Sequence, residues 1–153
     1  MISLNLPSFD IKIRREGNRA VVLDPLRRRW VALTPEEWVR QHFVNLLVSE
    51  KHYPATLVAN EVQLSVGEKV MRADTVVYDR TLRPRMIVEY KAPTVAITQK
   101  VFDQISVYNL LLRVDYLAVS NGRQHYVCRM DYNNEKYSFL EDLPDYEVFL
   151  QNA

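Results

Sequence analysis

The chain has 153 residues and a mass of 18.0 kDa, the size of one domain, and at that length a single fold buries roughly 68 to 70% of the surface its unfolded chain exposes. Hydrophobic residues make up 48% and charged residues 25%, with 3 glycines, which excludes a long disordered or low-complexity chain. A formal net charge of +1 excludes a protein coated all over for nucleic acid, the single cysteine excludes an intramolecular disulfide, and no apolar stretch approaches the ~20 residues of a membrane helix. The N-terminus, "MISLNLPSFDIKIRRE", has no basic start followed by an apolar run. With the lone cysteine, that predicts a soluble protein of the reducing cytoplasm with no membrane partner.

In chain order, residues 9–33 read as two or three short antiparallel strands with "EGN" and "DP" as turns, an N-terminal β-hairpin. A helix follows. Thr34 is its N-cap, Pro35 its first position and Glu37 the third, a capping box, and Val39, Phe43, Leu46 and Leu47 recur at helical spacing. Pro54 ends it. "ATLVANEVQLSV", "RADTVVYD" and "RMIVEYK" are β-branched runs of strand length that form a meander. "ITQKVFDQISVYNLLLR" returns to helical spacing through Val101, Ile105, Tyr108 and Leu112, and "DYLAVSNG" and "QHYVCRM" are two more strands. Residues 131–153 predict a turn, a short strand and a terminal helical turn after Pro144. With no repeat or linker, the reading is one α/β domain.

The strand residues Asp74, Glu89 and Lys91 stand out, because burying ionised groups costs several kcal/mol unless they are paired or hold a metal. Side chains alternate along a strand, so Glu89 and Lys91 share a face with Ile87, while Met86, Val88 and Tyr90 take the other. Asp74 lies on the preceding strand with Val76 and Tyr78, and the connection "DRTLRP" folds the two strands together. Two carboxylates held close repel, and a cation between them relieves this. Mg²⁺ suits such a pair, since it takes one or two carboxylates, keeps waters and accepts a phosphate oxygen. A neighbouring lysine would position the attacking water and stabilise charge building on a phosphate. Taken singly, Asp74 is a strand-end partner for Arg72, and Glu89 with Lys91 a surface pair. Together, in this order, they favour a site for phosphodiester hydrolysis.

The blocks "LTPEEWVRQHFVNLLV", "YPATLVANEVQL", "RADTVVYD", "IVEYKAP", "FDQISVYN" and "LAVSNG", spanning about Leu33 to Gly122, resemble the N-terminal nuclease-like domain of type I restriction enzyme R subunits, in the PD-(D/E)XK nuclease superfamily. That resemblance implies a restriction-endonuclease-like core of order α-β-β-β-α-β with a mixed sheet. The divisions would be a hairpin at 9–33, a nuclease core at 34–130 and a C-terminal extension at 131–153. It implies a Mg²⁺-dependent DNA endonuclease, with Mn²⁺ able to replace Mg²⁺, acting in a restriction, defence or repair system. DNA would be the partner, with a second copy or other subunits of a restriction complex alongside. Asp74, Glu89 and the backbone carbonyl of Tyr90 would hold the metal, Lys91 and Glu37 would serve catalysis, and Gln104 and Tyr108 would steady Lys91 or touch DNA. The alternative is a catalytically silent DNA-binding or assembly module of the same fold.

Two departures matter. Ala73 stands where the superfamily's motif has proline, and no G-x-x-x-x-G-K-[ST] motor motif occurs. The first helix of the fold often supplies a further acid. A helical wheel turns Glu36 toward the sheet and leaves Glu37 to the cap, whereas the family pattern points to Glu37. Glu61 reads as structural, His42, His52 and His125 as ordinary, Cys128 as buried and inert, and Trp30, Trp38 and Tyr53 as packing the first helix on the hairpin. The basic runs "IRREGNR" and "LRRRW", and Arg83 and Arg85 around Pro84, read as solvated faces.

Overall fold

The computed structural model describes residues 3–150, with backbone alone for residues 108–111. Three short strands, β1 (Ile13–Glu16), β2 (Arg19–Asp24) and β3 (Arg29–Ala32), form an antiparallel sheet of their own in that order. The turn between β1 and β2 is made by Gly17, whose φ of +63° costs a glycine little. Helix α1 (Pro35–Ser49) follows at once.

Thr34 caps α1, its Oγ1 accepting the Glu37 N–H at 3.0 Å, which satisfies one of the donors a helix start leaves free. The reciprocal half of a capping box is not made. The Thr34 N–H donates instead to the Ala32 carbonyl at 3.2 Å, because the Glu37 carboxylate is engaged elsewhere. After a 3₁₀ turn at Ala55–Leu57 come β4 (Val58–Val66), β5 (Lys69–Tyr78) and β6 (Pro84–Tyr90), then α2 (Gln99–Leu112), β7 (Tyr116–Ser120), β8 (His125–Asp131) and β9 (Lys136–Leu140). A final 3₁₀ turn, Tyr146–Phe149, follows.

The six strands β4 to β9 lie in sequence order in one mixed sheet. Only the β6–β7 pair is parallel, as expected of two strands joined through a helix. Alternation along the strands divides the core. Met86, Val88, Tyr90, Tyr116 and Ala118 face α1 through Val39, Phe43 and Leu47. Ile87, Leu117, Val119 and Cys128 face α2 through Phe102 and Ile105. All five residues of β7 are buried, as a strand covered on both faces requires. Burial also pushes the Cys128 thiol up to about 12, so it is inert as a nucleophile.

Two sequence expectations change here. Tyr53 packs not on the hairpin but on Tyr146 and Phe149, with its O–H donating to the Pro144 carbonyl at 2.9 Å. Arg85 is not on a solvated face. It is 2% exposed and pairs with Asp115 at 2.5 Å and Asp79 at 3.2 Å.

Candidate active site

The sheet opens at one point. The β5–β6 ladder runs from Tyr78↔Pro84 to Thr75↔Val88 and stops there, while the parallel β6–β7 ladder continues to Tyr90↔Ser120. On the other flank, β4 and β5 pair at Asn60↔Thr75 and Val62↔Ala73, with Glu61 and Asp74 unpaired between them. Asp74 therefore stands in a gap on both sides. It lies beside the C-terminal end of β6, and the ends of parallel strands in α/β sheets are where ligands bind.

In that gap the Asp74 carboxylate reaches across to β6, where Oδ2 accepts the Tyr90 N–H at 2.9 Å. Glu89, one residue back, lies near enough for Asp74 to act on its carboxyl through both side chain and backbone. Burial, then the Asp74 charge, then the Asp74 side chain push the Glu89 carboxyl up to about 9, with the Asp74 backbone and then Lys91 pulling the other way. At neutral pH the pair therefore keeps a proton. Lys91 is half-buried. Its backbone N–H extends the β6–β7 pairing to the Ser120 carbonyl at 2.9 Å. Its ammonium makes no hydrogen bond or ion pair among the described residues, so it is available to an incoming anion.

Beneath the pair lies a buried ionic layer. Glu37 is 4% exposed and turned to the sheet, whereas Glu36 is exposed, the reverse of the helical-wheel expectation. The wheel weighed Glu36 against the apolar stripe alone, but the buried face of α1 is partly polar and includes Arg40 and Gln41. Glu37 Oε1 accepts from Arg27 at 2.6 Å, and Oε2 from Arg40 at 3.1 Å and Gln41 at 3.0 Å. Arg40 then donates to Glu61 at 2.6 Å and to the backbone carbonyl of Asp74 at 2.6 Å. Burial works against the Arg40 charge, but Glu37 and Glu61 outweigh it and the guanidinium is held more firmly protonated than usual. Glu61 carries a left-handed φ of +55° inside a strand, strain that surrounding structure must over-determine. A second chain runs from Asp24 through Asn60 (3.0 Å) and Thr75 (2.7 Å) to the Tyr90 hydroxyl (2.9 Å).

The structure thus brings Asp74, Glu89 and the Tyr90 backbone together and sets Lys91 beside them, with Glu37 one arginine away. Gln104 is on the exposed face of α2 and has no hydrogen bond to Lys91 among the described residues, so it does not steady that lysine. Helical spacing turned it outward with Asp103, while Phe102 and Ile105 took the core. Tyr108 lies outside the residues whose side chains are described. Arg40, Asn60 and Thr75 are participants that reading the sequence missed. The signal for Arg40 was a cation three residues after Glu37, on the face that continues to Val44 and Leu47.

Among the described residues no group of three or more His, Cys, Asp or Glu side chains gathers to hold a metal. The donors on offer are two carboxylates and main-chain carbonyls, a set that fits Mg²⁺ completed by water and phosphate oxygens. A proton shared between two acids marks where a cation would relieve their repulsion.

A family model described as the type I restriction enzyme R protein N terminus matches residues 35–144. Among solved structures, a fragment described as an HsdR subunit of a type I restriction enzyme from Vibrio vulnificus YJ016 superposes with a TM-score of 0.52 at 20% identity, over 78% of this chain and 26% of that one. The chain spans about a quarter of that fragment, and at this identity the likeness is one of fold. No curated protein matches the chain.

Proposed function

The chain belongs to the family of type I restriction enzyme R protein N termini, and on that premise we propose that it is the nuclease module of a restriction or defence system, hydrolysing DNA phosphodiesters with Mg²⁺. The core would be restriction-endonuclease-like, a reading supported by the order α1, β4, β5, β6, α2, β7. The observation that carries the proposal is the juxtaposition of Asp74 and Glu89 at the open end of β6, where Asp74 accepts the Tyr90 N–H, and beside them a Lys91 that makes no ion pair among the described residues.

Asp74, Glu89 and the Tyr90 carbonyl would hold the cation, with Mn²⁺ able to stand in. When bound, Mg²⁺ supplies Lewis-acid polarisation of a phosphate oxygen and lowers the pKa of a water. The protein's own residues do the rest. Lys91 would orient the attacking water and offset charge on the phosphate. Tyr90, fixed by its N–H to Asp74 and its hydroxyl to Thr75, keeps Glu89 facing the site. Glu37 would act indirectly, by placing Arg40 against the Asp74 main chain. Partners would be DNA and a second copy or further subunits of a restriction complex.

Supercoiled plasmid incubated with purified protein, with and without Mg²⁺, tests this. Wild type should nick only with the cation. Asp74→Asn, which can still accept the Tyr90 N–H, should not nick at all. Wild type that leaves every DNA and RNA intact would sink the enzyme reading in favour of a silent DNA-binding or assembly module.

A further inference from the structure

We propose that the N-terminal three-stranded sheet is a docking platform for the phosphate backbone of duplex DNA; the proposal rests on the nuclease reading for its orientation toward the acid pair. The charge of the molecule is segregated. Residues 12–32 hold seven lysines and arginines against two acids, whereas the whole chain has a net charge of +1, so the remaining residues carry four more acids than bases. Lys12, Arg15, Arg19, Arg28 and Arg29 are exposed and make no ion pair among the described residues. Arg14 shares its charge with Glu16 at 2.9 Å and lies over the Trp30 ring at 4.1 Å.

Residues paired across strands share a face. Glu16 pairs with Arg19, Arg14 with Val21, Arg15 with Ala20 and Asp24 with Arg29. Arg15 and Arg29 therefore project from one face, and Arg14 and Arg19 from the other. Val21, Val22 and Asp24 of β2 are buried, so the sheet does not enter a groove; its cations lie along the exposed strand β1 and the β2–β3 turn, where they can contact a phosphate chain from outside. From Arg19 to Asp24 the ribbon runs ~17 Å at ~3.4 Å per residue, about half of the ~34 Å helical repeat.

The platform is fixed to the site. Asp24 of β2 accepts from Asn60 at 3.0 Å, and Arg27 of the β2–β3 turn binds Glu37 at 2.6 Å. Arg40 carries the link from Glu37 to the Asp74 carbonyl at 2.6 Å. Glu37 and Glu61 are already paired with Arg27, Arg40 and Arg72, so the arginines of that layer are spent and cations for a duplex must come from elsewhere on the surface. A second copy of the sheet is disfavoured as its occupant, since it would set one cationic ribbon against another.

Anisotropy of a fluorescent 20-base-pair duplex, titrated in EDTA between 50 and 200 mM KCl, tests binding apart from cleavage. Wild type should bind with steep salt dependence. Arg15→Gln/Arg19→Gln/Arg29→Gln should keep the wild-type Tm, lose at least tenfold in affinity at 50 mM salt, and flatten the slope of log K against log salt by about 2.7, at about 0.9 per phosphate contact. Arg80→Gln/Arg83→Gln, exposed at the far end of β5 and β6, should bind as wild type. The proposal is overturned if wild type does not bind, if the triple variant keeps its affinity and slope, or if the two variants lose equally. Poly-glutamate binding as tightly as the duplex would identify an acidic polypeptide instead, and sedimentation showing a dimer broken by the triple variant would identify a second copy. Intact binding by a wild type that cuts nothing would keep the platform and remove only the nuclease.

Discussion

At the scale of single residues, Lys91 separates an enzyme from a silent scaffold. On the proposed function, an ammonium beside Asp74 and Glu89 would weaken cation binding by repulsion, so its benefit would lie with a phosphate or hydroxide. Lys91→Ala should leave the Tm nearly unchanged and Mg²⁺ affinity equal or tighter by calorimetry, while plasmid nicking falls by about 10²-fold or more, the size seen when one charge-stabilising group is removed. Cleavage equal to wild type would remove Lys91 from the mechanism. That Asp74 and Glu89 lie close together, with Lys91 on the same strand as Glu89, was legible in the sequence because strand alternation fixes which side chains share a face and one short connection fixes which strands are neighbours. Arg40 was not, since nothing in local periodicity says that a buried guanidinium will find Glu61 and the Asp74 carbonyl, 21 and 34 residues away.

At the scale of elements, α1 carries the contrast between its two glutamates. Glu37 holds Arg27, Arg40 and Gln41 in a buried layer, and removing one partner of a buried ion pair costs about 3 to 5 kcal/mol. Glu36 faces solvent, where substitutions stay within about 0.5 kcal/mol. Urea unfolding should show Glu37→Gln destabilised by several kcal/mol and Glu36→Gln unchanged; equal effects would show that the layer contributes nothing to holding α1. The elements themselves were readable in order and type, from the Thr34-Pro35 start to the terminal turn after Pro144. What failed was the orientation of Glu36 and Glu37, because a wheel built on apolar residues cannot see a polar buried face. The fate of Arg85 was hidden for a related reason: its partners Asp79 and Asp115 come from either side of it, and Asp115 only after α2 has returned the chain.

At the scale of the whole molecule, two sets of carboxyls pull stability in opposite directions with pH. Burial would raise Asp79, but hydrogen bonds from Thr81, Arg83 and Arg85 hold it down at about 2. Its contribution is full above the ordinary value of 3.8 and is lost as pH falls toward 2. Glu89 behaves oppositely. Raised from 4.5 to about 9, it keeps its proton in the folded state where the unfolded chain has released it, so stability falls as pH rises between those values. Metal-free protein should therefore have its highest Tm near pH 4 to 5, and Mg²⁺ should raise the Tm more at pH 8 than at pH 5. A Mg²⁺ shift independent of pH would place the cation away from Glu89. The N-terminal end of the described chain also meets the turn between β7 and β8. The Asn5 N–H donates to the Gly122 carbonyl at 2.8 Å, His125 Nε2 lies 3.0 Å from the Asn5 carbonyl, and Leu4 fills the space that a side chain at Gly122 would need. On a ribosome adding about 5 to 20 residues per second, Leu4 must wait roughly 6 to 25 s for that seat to be made. For the last roughly 1 to 5 s of that interval, between the completion of β6 at Tyr90 and the start of β7 at Tyr116, the lengthening chain holds β4, β5 and β6 without β7, an unsealed sheet edge that a chaperone or a neighbouring nascent chain can reach before the fold closes on itself.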